Sequence, residues 1–162
     1  MKDRFHELLA ANGPALWRLT ASYARTHSDR EDLFQEIALA IWKALPGFRE
    51  LSSERTFIFR IAHNRAITHS LRRRPAASPS EGLDPPDPSP GPESGLLRAE
   101  RHIRLQAAVR QLPLEFRHVI TLALEGLTYS EIAVVAGISE SNVGVRLNRA
   151  RQMLRRIFEV KQ

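Results

Sequence analysis

The sequence predicts an all-α protein of two small helical domains, an N-terminal helical bundle and a C-terminal helix-turn-helix, joined by a proline-rich linker. Three observations carry this. On both flanks apolar residues recur at helical spacing, without sustained period-two alternation and with few turn residues inside the runs. Residues 75–95 hold seven of the chain's ten prolines, four serines and three glycines, but one large apolar residue, Leu83. Near the C-terminus, two helix-capping signatures enclose a short glycine turn.

Composition sets the outer limits. With 43% apolar residues the chain can fill packed cores, and no apolar run reaches the length of a membrane span. The first twenty residues mix charge with apolar residues, unlike a signal peptide. With no cysteine there is no disulfide, thiolate zinc site or cysteine nucleophile, which agrees with a cytoplasmic protein. The charge is unevenly spread. Residues 1–74 carry 13 Lys/Arg against 8 Asp/Glu, residues 75–95 none against 4, and residues 96–162 carry 11 against 6. Two basic blocks flanking an acidic strip fit a polyanionic partner, or two ordinary solvated surfaces. The proline-rich strip has almost nothing to bury and lacks many backbone donors, so it reads as an extended linker. Domain boundaries follow at 1–74, 75–95 and 96–162.

In the first block the spacing predicts helices over 3–11 and 14–26, with Gly13-Pro14 as a break. A third runs from Asp29 to Leu45, opened by a Ser28-to-Glu31 capping box and stopped by Pro46-Gly47. On that helix Leu33, Phe34, Ile37, Ala38, Ala40, Ile41, Ala44 and Leu45 form the core arc. Asp32, Gln35, Glu36, Leu39 and Lys43 form an opposite stripe, either solvated or, because Leu39 sits within it, a docking face. A fourth helix covers 56–73. Its arginines and aromatics interleave as a single-strand reader requires, although Phe57 and Phe59 equally suit a core, and at least one of them is expected there.

In the second block helices are predicted over 97–111, ended by Leu112-Pro113, and over 114–124. Thr128 caps the next, with Glu131 at its third position; Gly137 ends it, and Ser139 caps a final helix. On that last helix Val143, Leu147, Ala150, Leu154 and Ile157 face inward. Ser141, Asn142, Val145, Asn148, Arg149, Gln152 and Arg156 face outward. Asn and Arg can bond adenine and guanine edges and Val145 can touch a thymine methyl, so the face suits the DNA major groove; a helical hairpin for protein contacts is the alternative.

These segments resemble the two conserved regions of extracytoplasmic-function sigma factors. Asp32-Leu33-Phe34-Gln35-Glu36-Ile37, running on to Trp42, resembles the segment that docks on the clamp helices of the polymerase's largest subunit. Phe57-Ile58-Phe59-Arg60-Ile61-Ala62-His63-Asn64 resembles the start of the minus-ten reader, with Phe57 where many members carry Trp. Leu112-Pro113, Phe116-Arg117, Tyr129 to Ala133, Val143 and Arg146 to Arg151 resemble the minus-thirty-five reader.

The resemblance implies core-polymerase contacts from Asp32, Gln35, Glu36 and Leu39. It implies minus-ten contacts from Phe48, Arg49, Ser52, Ser53, Phe57, Arg60, Asn64 and Arg65, the loop 48–55 capturing a flipped base. It further implies minus-thirty-five contacts from Ser141, Asn142, Val145, Arg146, Asn148 and Arg149, with the other face of that domain on the polymerase flap. An anti-sigma factor is the implied restraint. Beyond the resemblance, the acidity of the strip suggests the hypothesis that the linker threads the RNA exit channel, with Glu81, Asp84, Asp87 and Glu93 standing in for transcript phosphates. The chain departs from the family pattern at Asn142, Gly144 and Val145, where members often carry Thr, Lys and Ser, and at the loop Glu50-Leu51-Ser52-Ser53. Promoter sequence is therefore not transferable.

A stand-alone repressor could share the helix-turn-helix and would bind a palindrome without polymerase. An enzyme is disfavoured. His6, His27, His63, His69, His102 and His118 form no metal-ligand spacing, and there is no phosphate loop or nucleophile elbow. No metal and no cofactor are expected, and His63 and His69 read as polar contacts.

Overall fold

The computed structural model describes residues 1–72 and 93–160, the side chains of Glu93 and Ser94 excepted. Most of the stretch expected to be linker, with Glu81, Asp84 and Asp87, lies outside these residues. Every regular element described is helical: α1 Lys2–Ala21, α2 His27–Ala44, α3 Glu54–Arg72, α4 Glu93–Gln111, α5 Leu114–Leu124, α6 Tyr129–Ala136 and α7 Glu140–Val160. A single 3₁₀ turn, Leu45–Gly47, follows α2, where Pro46 lacks the donor to continue the helix.

Helices α1, α2 and α3 pack on one another around Leu16, Leu19, Leu33, Ile37, Ile58 and Phe59. Helices α4 to α7 surround Val109, Leu112, Leu122, Ile132, Val143 and Leu147. The two sets are not separate: α3 packs on α6, and their buried apolar side chains form one continuous cluster.

Four boundaries differ from expectation. The Gly13-Pro14 break does not occur, because α1 runs through it. Pro14 removes one backbone bond and costs about 3 kcal/mol in a helix interior, yet Leu8 on one side and Leu16 and Leu19 on the other are all buried. Burial of that shared face outweighs the break. The helix then stops at Ala21 rather than near residue 26, and Ser22, Tyr23 and Ala24 form a buried turn. Its end is held by Arg30, whose Nε and Nη2 donate to the Trp17 carbonyl at 3.1 and 2.7 Å while the guanidinium lies 4.1 Å from the Trp17 ring.

The cap of α2 is Thr26, not Ser28: Thr26 Oγ1 accepts the Asp29 N–H at 3.1 Å. Thr26-to-Asp29 has the same cap spacing as Ser28-to-Glu31, and the earlier cap satisfies the orphan donors of a longer helix. Helix α4 begins at Glu93, reaching into the stretch expected as linker, since each residue added to a formed helix gains a backbone bond.

Candidate nucleic-acid and partner interfaces

On α2 the core arc is as expected, with Leu33, Ile37 and Ile41 buried. Asp32 and Gln35 are exposed, Glu36 is half-buried, and Leu39 is 54% exposed. Leu39 is one of several large apolar side chains left exposed, among them Leu51, Val134 and Val145. With His69 and Arg72 of α3, Asp32, Gln35, Glu36 and Leu39 line a shallow groove. His69 stands behind it, its Nε2 2.9 Å from Asp29 Oδ1 and its Nδ1 3.8 Å from Glu36 Oε2. Sequence reasoning made His69 a polar contact but did not connect it to this groove. Its place on the same arc as the buried Ala62 and Ala66 was the available signal.

The loop between the 3₁₀ turn and α3 carries Phe48, Arg49, Ser52 and Ser53. Ser53 Oγ accepts the Thr56 N–H at 3.1 Å and so caps α3, and Ser52 is half-buried beside it. Glu50 adopts φ 57°, a left-handed conformation uncommon for a residue with a Cβ. The Phe48 and Phe57 rings lie 4.6 Å apart, and Arg4 sits 5.7 Å from the Phe48 centroid. Phe59 is wholly buried and belongs to the core, whereas Phe57 is half-buried and turned to the loop. One turn of α3 apart, Phe57, Arg60 and Asn64 share a face; Arg60, Asn64, Arg65 and Arg49 are exposed.

The C-terminal pair of helices has the expected caps. Thr128 Oγ1 accepts the Glu131 N–H at 3.2 Å, Gly137 turns the chain at φ 69°, and Ser139 Oγ accepts the Asn142 N–H at 3.1 Å. Only glycine takes that left-handed turn without a Cβ penalty. Val143, Leu147 and Ala150 are fully buried, which fixes the rotation of α7 and leaves Ser141, Val145, Asn148 and Arg149 exposed. Asn142 and Arg146 are half-buried and engage each other, Arg146 Nε donating to Asn142 Oδ1 at 3.3 Å. A Cβ at Gly144 would lie 3.6 Å from the Tyr129 ring, an ordinary contact, so packing does not require glycine there. Arg117 secures the corner before α5, its Nη2 donating to the carbonyls of Arg110 and Leu112 at 2.9 Å each.

A further cluster lies where the two helical sets meet. Tyr23 Oη is 2.8 Å from His118 Nδ1, and the His118 and His63 rings meet edge-to-face at 4.6 Å. Burial, and then the neighbouring His63, Arg117 and Arg146, push His118 down to about 3. Burial alone takes His63 down to about 4 and also pushes the Tyr23 phenol upward. Both imidazoles are therefore neutral at pH 7 and Tyr23 keeps its proton, so a single hydrogen joins Tyr23 Oη and His118 Nδ1. Nothing in the local sequence marks this cluster; it joins residues 95 positions apart.

Two family models match the chain, Sigma-70 region 2 over residues 8–75 and Sigma-70 region 4 over residues 102–154. The RNA polymerase sigma-H factor of Pseudomonas aeruginosa is 31% identical over 147 residues, covering 84% of this chain and 76% of that protein. The chain is an extracytoplasmic-function RNA polymerase sigma factor. The ECF sigma factor SigE of Mycolicibacterium smegmatis is 31% identical over 153 residues, 92% of this chain, and this chain spans 59% of SigE's length. Among solved structures, CnrH in complex with the cytosolic domain of CnrY superimposes with a TM-score of 0.74 at 26% identity, over 100% of this chain and 92% of that one. Sigma factors direct transcription initiation rather than catalyse a reaction of their own. Among the described residues no helix of this sigma factor is long and apolar enough to cross a membrane.

Proposed function

We propose that this sigma factor divides its work between domains at 1–74 and 96–162 linked through 75–95, and acts in the cytoplasm on core RNA polymerase and promoter DNA. The observation that carries the assignment is that one chain holds an exposed Leu39 framed by acidic and amide groups on α2 and, separately, an exposed Asn/Arg face on a doubly capped α7. Asp32, Gln35, Glu36 and Leu39 dock on the clamp helices. Leu39 supplies apolar area to be buried, and the acidic side chains meet basic groups.

On α3, Arg60, Asn64 and Arg65, with Arg49, hold the melted minus-ten strand through phosphates and base edges. Phe57 and Phe48 supply ring surface for an unstacked base beside Ser52 and Ser53. Unstacking a base costs a few kcal/mol, which stacking at about 1–3 kcal/mol per base offsets. On α7, Ser141, Asn142, Val145, Arg146, Asn148 and Arg149 read the minus-thirty-five major groove, Arg146 leaving Asn142 to reach a guanine. The other face of that domain meets the flap.

The solved CnrH structure is a complex with the cytosolic domain of CnrY, and an anti-sigma factor restrains this chain. The assignment is tested by initiation assays with core polymerase. Leu39→Asp should abolish initiation at every promoter by removing core binding. The pair Asn148→Ala and Arg149→Ala should spare core binding and weaken initiation by about 30-fold or more, on the estimate of about 1–3 kcal/mol for each of the two lost base contacts. Equal loss of core binding in both variants would overturn the division of labour.

A further inference from the structure

Behind the α2 groove, a buried imidazole links the start of α2 to its polar stripe. Thr26 caps α2 by accepting the Asp29 N–H at 3.1 Å, which fixes Asp29 in the first turn. The Asp29 side chain turns inward to His69 of α3, its Oδ1 lying 2.9 Å from Nε2, and both residues are buried. A carboxylate accepts, so Nε2 carries the hydrogen of that bond and the ring is held in one orientation. The opposite nitrogen then faces the stripe, with Nδ1 3.8 Å from Glu36 Oε2. Asp29 and Glu36 stand seven positions apart, two helical turns, so they share one side of α2 and a single imidazole serves both. The same device orients imidazoles that ligate metals, where a carboxylate behind the ring fixes which nitrogen faces forward.

Of the four stripe residues Glu36 is the half-buried one; Asp32, Gln35 and Leu39 are exposed. Freezing a long side chain on association lowers affinity by a factor of roughly 2 to 10, and a contact already made in the free chain removes part of that cost. His69 itself is only 5% exposed, too little to offer a partner much surface of its own. Its influence on the groove therefore passes through Glu36.

We propose that His69 is a positioning residue for core docking: clamped by Asp29, it sets the Glu36 carboxylate in the attitude that meets a basic group of the polymerase. This role rests on the reading of the α2 stripe as the docking face; the Asp29–His69–Glu36 contacts do not. Through it α3, the promoter-reading helix, contributes to core binding from its inner side.

The two nitrogens of His69 are separable by substitution. Gln places an amide nitrogen near the position of Nε2 and Asn near that of Nδ1. His69→Gln therefore keeps the Asp29 contact, and His69→Asn keeps a donor towards Glu36. Core affinity is read by titrating the fluorescently labelled chain with core polymerase, and stability by denaturant unfolding. His69→Gln should keep most of the stability and lose core affinity roughly 2- to 10-fold. His69→Asn should lose more stability yet less core affinity. In a Glu36→Gln background His69→Gln should cost no further affinity, since the carboxylate it orients is gone. A merely structural histidine gives the reverse order, with core affinity falling alongside stability, and the same loss in both backgrounds; either result overturns the proposal. If Glu36→Gln lowers core affinity and His69→Gln does not, the docking reading stands and the positioning role fails. If Glu36→Gln leaves core affinity unchanged, the docking reading of Glu36 fails and the role acting through it falls too.

Discussion

Single side chains decide how much of this sigma factor's behaviour is structural and how much functional. Gly144 sits inside α7, where glycine is disfavoured by about 1 kcal/mol relative to alanine, and a Cβ there meets only the Tyr129 ring at contact distance. Gly144→Ala should raise stability by about 0.5–1 kcal/mol in chemical denaturation. Unchanged or lowered stability would mean that the ring must move. His63 and His118 give a second prediction. Their folded values, about 4 and about 3, lie below the ordinary imidazole value, so an unfolded chain takes up protons that the folded chain refuses. The contribution is complete above pH 6.5 and is lost as pH falls towards those values, by up to about 1.4 kcal/mol per pH unit for each histidine. His118 faces His63, Tyr23, Arg117 and Arg146, and the two arginine cations add to the cost of charging it. Unfolding free energies at about pH 7 and about pH 5 should differ accordingly; equal values would sink the claim that these rings are buried and neutral. The cost of Gly144 was legible from helix propensity alone, whereas the histidine effect was not, since a lone His in a sequence does not state what surrounds it.

At the scale of elements, local chemistry was readable wherever it was self-contained. The Thr128 and Ser139 caps and the Gly137 turn satisfy donors within a few residues, so the helix-turn-helix could be placed from its spacing alone. Thr128→Ala should cost about 1 kcal/mol, measured by thermal or denaturant unfolding, with α6 fraying before α7 in hydrogen exchange. A loss below about 0.3 kcal/mol would show that packing of Ile132 and Val135, not the cap, fixes that helix. Reading failed where a local signal met a distant one. Gly13-Pro14 is a sound break signal, and it lost to Leu8, Leu16 and Leu19 packing along a single face. Ser28 and Thr26 offer equivalent caps, and only the longer helix, with Asp29 turned in to His69, chooses between them. Phe57 and Phe59 were indistinguishable by composition, and the rotation of α3 separates them.

At the scale of the whole molecule, the amino-acid pattern showed two helical blocks and gave no sign that they touch. The contact depends on pairs such as Tyr23 with His118 and Arg18 with Glu125, separated by 95 and 107 positions, and no periodicity records such distances. The exposed faces of α2 and α7, by contrast, were largely foreseen, because amphipathic helices display what they do not bury. Leu39 on α2 and Asn148 and Arg149 on α7 are exposed for the same reason that Ile37 and Leu147 are not. His69 behind the α2 groove was not connected to it, because that link needs the packing of α3 on α2. The central claim is that both surfaces serve one initiation event. Reconstituted transcription with core polymerase on genomic fragments, with start sites mapped by sequencing, tests it most directly. The account predicts discrete starts, dependent on this chain, that share two upstream elements at a fixed spacing. Starts that do not depend on the chain, or tight binding of the chain alone to a duplex palindrome without initiation, would contradict it.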